Sequence, residues 1–348
     1  MNNKNVIMFG LGGAERYFDE NKASQIHIVA VIDNDIKKHG TIKLKNDVVH
    51  VIGAEQIPYL KYDEILVVSH NRYSTFEIVS QLFELGVDVN KIKVWTGRNS
   101  VEKFCYVNKH GNIVYSVRGV LFQIKYKSDI MLLEEIFIKG EYNFYISNEN
   151  SKIIVFDIGM NTGFASLYFS HIKNVHKVYS YEPFSEPYNS AKENFLLNDC
   201  ADKIISKCIG ISDANIVCEE NFSSDWITAS RTDGIVNSSM KNVRLEKVQL
   251  ADVYEEFYKI MLQEGLDNCY VLKCDCEGSE YKIFSRLADM RILSKFSVII
   301  AETHDGKQDI VLDILKNDSY ACFYESINEL QGVVRAVKVN GYDAGEGK

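Results

Sequence analysis

The stretch Val155-Phe156-Asp157-Ile158-Gly159-Met160-Asn161-Thr162-Gly163 restricts the possible folds of this chain more than any other. An uninterrupted apolar run enters a turn with two glycines, and helical periodicity follows from Phe164. A run without polar alternation fits a strand covered on both faces, hence a parallel sheet flanked by helices. Glycines let the backbone turn tightly, and the free N–H groups of the following helix favour the negative end of a ligand. The next strand, KVYSYE, closes on Glu182, 25 positions after Asp157. An acid there accepts the hydroxyls of a ribose. These features predict a nucleoside-type cofactor at the carboxyl ends of parallel strands.

The turn also discriminates between cofactors. A dinucleotide site expects G-x-G-x-x-G, whereas here the spacing is G-x-N-x-G, with Asn161 in the middle and Asp157 leading in. A carboxylate repels a pyrophosphate but suits the ammonium and sulfonium of S-adenosylmethionine, so the reading favours a methyl donor over NAD.

Two further strand ends carry chemistry. In Leu272-Lys273-Cys274-Asp275-Cys276-Glu277-Gly278-Ser279-Glu280, alternation sets Lys273, Asp275 and Glu277 opposite Leu272, Cys274 and Cys276. Three acids in six residues repel one another and call for a cation, a metal or a hydroxyl substrate as an offset. The two cysteines read as small buried residues, and no metal ligand set is assigned. Lys273 either pairs with an acid or serves catalysis. Ala301-Glu302-Thr303-His304-Asp305 ends the following strand and offers His304 as a general base.

Residues 1–97 alternate strand and helix in the same way and form a smaller Rossmann-like domain. Gly10-Leu11-Gly12-Gly13-Ala14-Glu15 follows a buried strand, and Asp33 ends the next. Glu15 occupies the third-glycine position, where its bulk disfavours close packing and a pyrophosphate. IDNDIKKHG resembles a segment of the Rossmann-like domains found in sugar-modifying enzymes. By that resemblance Gly10, Gly12, Asp33 and Asn34 are candidates for a nucleotide-sugar, with Ser69, His70 and Asn71 facing the same crevice; a structural or dimerising role and a working NAD site stay open. Gly86 is placed to end the helix over Ser74–Leu85. Residues 98–150 read as a β-rich connector attached to the second α/β domain, with a turn at His110-Gly111-Asn112 and a helix capped by Ser128 and ending at Gly140. Residues 151–340 form that second domain, with strand ends at Glu182, Asp275 and Glu302, helices at Glu186–Asn198, Ala251–Gln263 and Ser279–Leu287, and a closing antiparallel hairpin of ACFYES and VVRAVKV. The polar insert Asn221–Met240 offers Trp226 as a sugar platform.

VFDIGMNTG, YSYEPF, VLKCDCEGSEY and AETH, with the lead-in EEIFIKGEY, resemble the motif series of the FkbM family of S-adenosylmethionine-dependent methyltransferases over roughly residues 120–338. The resemblance implies a class I methyltransferase fold with a Rossmann-like seven-stranded sheet and an antiparallel last strand. It implies O-methylation, often of sugars or of hydroxyls on secondary metabolites. It assigns Asp157, Gly159, Asn161, Gly163 and Glu182 to the cofactor and Asp275, Glu277 and Glu280 to the reacting end. His304 or Asp275 then takes the hydroxyl proton; a divalent ion on Asp275 and a neighbouring acid, which would lower the hydroxyl pKa instead, is the less favoured alternative. Two other readings stand beside it: a nucleotide-sugar-binding protein with a lapsed methyltransferase fold, and an NAD-dependent sugar-modifying enzyme using the N-terminal domain.

Charge and composition narrow the partners. With 39 basic and 48 acidic residues the net charge is −9, a poor match for nucleic acid or an anionic membrane. The longest uncharged run, Ile158–Ile172, is interrupted by polar residues and is no bilayer span. Eight cysteines without a CxxC pair, and no secretory signal at Met1, point to the cytoplasm. A small-molecule or glycan acceptor and a homodimer complete the expectation.

Overall fold

The structure is a computed structural model describing residues 4–21, 26–44, 47–69, 71–97, 102–146, 151–200, 202–223 and 243–339. The chain forms two compact units, Met1–Met131 and Leu132–Lys348.

In the first unit β1 (Lys4–Phe9) leads into α1 (Leu11–Glu20) and β2 (Ile26–Ile32). The hairpin β3 (Gly40–Leu44) and β4 (Asp47–Ile52), then β5 (Glu64–Val67), α2 (Arg72–Glu84) and β6 (Ile92–Val94), complete a six-stranded sheet in the order β3-β4-β2-β1-β5-β6. Only β3 runs antiparallel to its neighbour. The chain winds outward from β1 in both directions, so the ends of β1 and β5 open a crevice. Gly86 ends α2 as predicted, with a left-handed φ of 73° and Val87 N bonded to Leu82 O. Val6, Met8, Phe18, Val31, Val51 and Val68 share one core.

The meander β7 (Glu102–Val107), β8 (Ile113–Val117) and β9 (Val120–Ile124) belongs to this unit, not to the second domain as the sequence suggested. Its first turn is at Gly111, where Asn108 Oδ1 accepts from His110 N and Asn112 N. The unit boundary falls within α3 (Lys127–Leu133). Asp129, not Ser128, satisfies the backbone there: its buried carboxylate accepts from Lys125 N and Tyr126 N. The helix continues as a π-helical stretch, Glu134–Lys139, and stops at left-handed Gly140 as expected.

The second unit is built on β10 (Ile153–Ile158), α4 (Phe164–Ser170), β11 (Val175–Tyr181), α5 (Ser185–Leu196) and β12 (Ile204–Lys207). Beyond them come β13 (Gly210–Ser212), β14 (Ile216–Ser223), β15 (Val243–Asp252), α6 (Val253–Glu264), β16 (Cys269–Cys274) and α7 (Glu280–Asp289). The chain closes with β17 (Phe296–Thr303), α8 (Gln308–Asn317), β18 (Tyr320–Ser326) and β19 (Gly332–Lys338). Seven strands lie in the order β12-β11-β10-β16-β17-β19-β18, all parallel except β19, which runs antiparallel to both neighbours. This is the seven-stranded sheet with an antiparallel last strand that the resemblance implies. The late hairpin is present as predicted, with β18 at the edge and β19 inside.

Two local features differ from the simple strand–helix reading. The run Lys203–Gly210 does not form one strand: β12 joins the main sheet, while β13 starts a second sheet with β14 and β15. Residues 251 and 252 belong to β15, and α6 begins at Val253, capped by Asp252. Of the Asn221–Met240 insert, residues 224–240, including Trp226, lie outside the described residues. The core beneath the sheet centres on Phe156, stacked on Phe257 at 4.0 Å between ring centres.

Candidate active site

The cofactor and catalytic residues predicted in the second unit lie at or just beyond the carboxyl ends of β10, β11, β16 and β17. The turn after β10 is tight because its residues permit nothing bulkier. Gly159 has φ 74°, and a Cβ there would stand 1.7 Å from the Asp275 backbone oxygen. Asn161 is itself left-handed, at φ 52°. Gly163 (φ 88°) starts α4 against Ala191 and Phe195 of α5, and Asn194 Nδ2 donates to Thr162 O from the same helix. Glu182 closes the turn from β11. Its carboxylate accepts from Asn161 N (2.9 Å) and Phe184 N (3.1 Å). Burial raises the pKa of Glu182 to about 7 against the pull of these two amides.

Beneath the turn lies a buried ion pair. Lys273 Nζ donates to Gly159 O (2.6 Å) and Ile158 O (3.2 Å), 3.3 Å from Asp157 and 3.6 Å from Asp275. Burial disfavours the ammonium, but the two carboxylates outweigh it and hold the Lys273 pKa above its usual value. Asp157 is fully buried and accepts from Ser166 Oγ (2.6 Å). Lys273 thus pins the glycine turn, the pairing alternative of the sequence reading.

The third group is acidic. Asp275, Glu277 and His304 each present a ligand atom within 4.8 Å of the others. His304 is 3% exposed. Its Nδ1 pairs with Glu280 at 3.1 Å, while its Nε2 points at Glu277 (3.4 Å) and Glu302 (3.5 Å). Burial lowers the imidazole pKa, but the Glu280 bond and the charges of Glu277, Glu280 and Asp275 prevail and raise it to about 10. His304 therefore carries a proton at neutral pH, which opposes the expectation of a general base. Glu280 does not line the surface of the site. It is 2% exposed and accepts from Cys276 N and Gly278 N, bracing the loop under His304. Burial, then the charge of Asp275, raise the pKa values of Glu302 and Glu141.

Tyr142 escaped the sequence reading. Its hydroxyl donates to Asp275 Oδ2 at 3.3 Å, and its ring faces Lys273 Nζ. The available signal was the lead-in EEIFIKGEY, which ends on it.

In the first unit a crevice of about 420 Å³ is bordered by Gly10, Gly12, Asp33, Asn34, Ser69 and Glu77. Asp33 is already engaged by Leu11 N, Asp35 N and Lys38 Nζ. Asn71 caps α2 through Tyr73 N and Ser74 N. His70 lies outside the described residues.

A family model described as the methyltransferase FkbM domain matches residues 157–330, half of the 348-residue chain. The chain belongs to the FkbM methyltransferase family. With that assignment comes S-adenosylmethionine as its methyl donor. Residues 2–93 match a separate model, the C2185-like N-terminal domain. No curated protein matches this FkbM-family methyltransferase. Solved structures similar to it include the FkbM methyltransferase of Methylobacillus flagellatus, at 11% identity over 96% of this chain and 90% of that one, TM-score 0.36. M. jannaschii TYW2 in complex with AdoMet is 14% identical over 66% and 87%, TM-score 0.36. A putative tRNA (m1A22) methyltransferase of Streptococcus pneumoniae is 11% identical over 57% and 71%, TM-score 0.33. No helix among the described residues of this methyltransferase is long and apolar enough to cross a membrane.

Proposed function

We propose that the second unit carries out O-methylation of a hydroxyl on a sugar or glycan precursor. The observation that carries this reading is the Gly159 turn closed by Glu182 beside a ring of strand-end carboxylates. The residues fit S-adenosylmethionine by their chemistry. Glu182 is a buried acceptor for the ribose diol, and Gly159 and Gly163, both at positive φ, let the backbone between them turn tightly. The nearby carboxylates favour a cationic ligand over a pyrophosphate. Bound S-adenosylmethionine supplies a methyl group already activated on a sulfonium.

The protein's task is then alignment and proton handling. Lys273 holds the Gly159 turn at Ile158 O and Gly159 O, which fixes the donor's seat. Orientation of this kind contributes about 7–11 kcal/mol in favourable cases. A sugar hydroxyl is weakly nucleophilic, so removal of its proton adds about 10²–10⁴-fold. Asp275 is the acceptor of that proton. Its carboxylate is oriented by the Tyr142 hydroxyl, whereas His304 is already protonated.

Calorimetric titration with S-adenosylhomocysteine tests the reading. Binding is expected in wild type, lost in Glu182→Ala and kept in Asp275→Asn, which has no transfer activity. Absence of binding in the folded wild-type protein, or full turnover by Asp275→Asn, overturns it. In the first unit, the crevice beside Gly10 and Gly12 supports recognition of a nucleotide-linked sugar. The NAD alternative uses the same crevice. Parallel titration with a nucleoside-diphosphate sugar and with NADH distinguishes these two.

A further inference from the structure

We infer that Asp275, Glu277 and His304 form a binding site for a hard divalent cation of the magnesium and manganese class, beside the methyl-transfer centre. The inference rests on the proposed methyltransferase reading of that centre and adds a second ligand to it. Three observations converge.

The first is the donor set. One imidazole and two carboxylates approach to within 4.8 Å of one another, the span of ligands around a single ion. Glu302 stands beside them, 3.5 Å from the imidazole. Oxygen-rich sets of this kind suit magnesium and manganese rather than the thiolate-bound metals.

The second is the orphaned nitrogen. His304 is 3% exposed, and its Nε2 has no hydrogen-bond partner among the described residues, although it is aimed into the carboxylate cluster. Buried polar atoms are normally satisfied, and an exception asks for a missing ligand. The other nitrogen is already fixed: Nδ1 meets Glu280, which is locked by the amides of Cys276 and Gly278. A carboxylate that orients one imidazole nitrogen so that the other faces a metal is the usual outer-shell arrangement, and a dication bound at Nε2 displaces the proton that this nitrogen otherwise carries.

The third is charge. An excess of negative charge collects here, since the charge of Asp275, after burial, raises the carboxyl pKa values of both Glu302 and Glu141. Lys273, the nearest ammonium, donates to Ile158 O and Gly159 O and lies closer to Asp157 than to Asp275. Arg335 donates to Glu141 O and Glu325. A dication offsets this excess and keeps coordination positions for oxygens of the acceptor, whose hydroxyl it makes more acidic.

The experiment is titration of the chelator-treated full chain with Mn²⁺, read by the paramagnetic resonance of the free ion. One saturable site per chain is expected. Asp275→Asn and Glu277→Gln abolish it. Glu280→Gln, which alters the orienting bond and the carboxylate that braces the Cys276 and Gly278 amides but removes no ligand, weakens it by about 10–100-fold. Magnesium displaces the manganese. S-adenosylhomocysteine titration and circular dichroism of each variant report donor binding and folding. A wild-type protein that binds S-adenosylhomocysteine but no Mn²⁺, or Mn²⁺ binding equal in Asp275→Asn and Glu277→Gln, overturns the cation site alone. Mn²⁺ binding in a folded protein that ignores S-adenosylhomocysteine overturns the donor-site reading and leaves the cation site standing.

Discussion

Glu182 couples the site to pH. Its carboxylate is 6% exposed, and burial raises its pKa from 4.5 to about 7. Between those values the folded protein keeps a proton that the unfolded chain releases. Stability therefore falls as pH rises through that window and is level above it. Donor binding slopes the other way, because a ribose diol donates to the ionised carboxylate. Affinity for S-adenosylhomocysteine should climb as pH rises toward about 7 and flatten beyond, with Glu182→Gln removing the slope. Calorimetry across pH reads both proteins, and a wild-type affinity indifferent to pH would contradict the role given to Glu182. At this scale the sequence was legible wherever an acid ends an apolar run, as at Asp157, Glu182 and Asp275. It was silent on Tyr142, which meets Asp275 across 133 positions. It offered His304 as a base, because a histidine's pKa is set by neighbours that only folding assembles.

Elements were legible where burial imposes a pattern. The central strands β10, β16 and β17 are buried along nearly their whole length and read as mostly apolar runs without polar alternation. Strand β15 was missed because its first five residues are largely exposed and its apolar spacing is irregular. Helix α1 shows how a glycine motif can mislead. Glu15 was expected to keep the helix from its strand, yet it is exposed, and the close approach is made by Gly13. A Cβ on Gly13 would stand 1.5 Å from Val68 O, while one on Gly12 meets nothing within 4 Å. Gly13→Ala should therefore destabilise the first unit by about 1–3 kcal/mol, the usual cost of overpacking. Gly12→Ala should stabilise it by up to about 1 kcal/mol through helix propensity. Urea denaturation of the pair measures the difference, and equal midpoints would sink this account of the α1–β5 contact.

For the whole molecule, the division into two α/β units was legible because the strand–glycine–helix opening occurs twice, at Gly10 and at Gly159. Where one unit ends was not, because the β7–β9 meander carries its own hairpin signals and nothing in its pattern assigns it to a neighbour. Each unit has its own sheet and its own core, one around Val6, Val31 and Val68, the other around Phe156, Phe257 and Leu272. A ligand stabilises the cooperative unit that binds it, by about 2.7 kcal/mol at a hundredfold excess over Kd. Every residue assigned to the donor belongs to Leu132–Lys348. Trp95, packed edge-on against Tyr17, reports on the first unit. In a Trp226→Phe background it is the sole tryptophan. Saturating S-adenosylhomocysteine should then leave the Trp95 fluorescence transition in urea where it was. Amide exchange should slow in β10, β11 and β16 in the same samples. A Trp95 midpoint that moves together with β10 protection would mean that the two cores unfold as one.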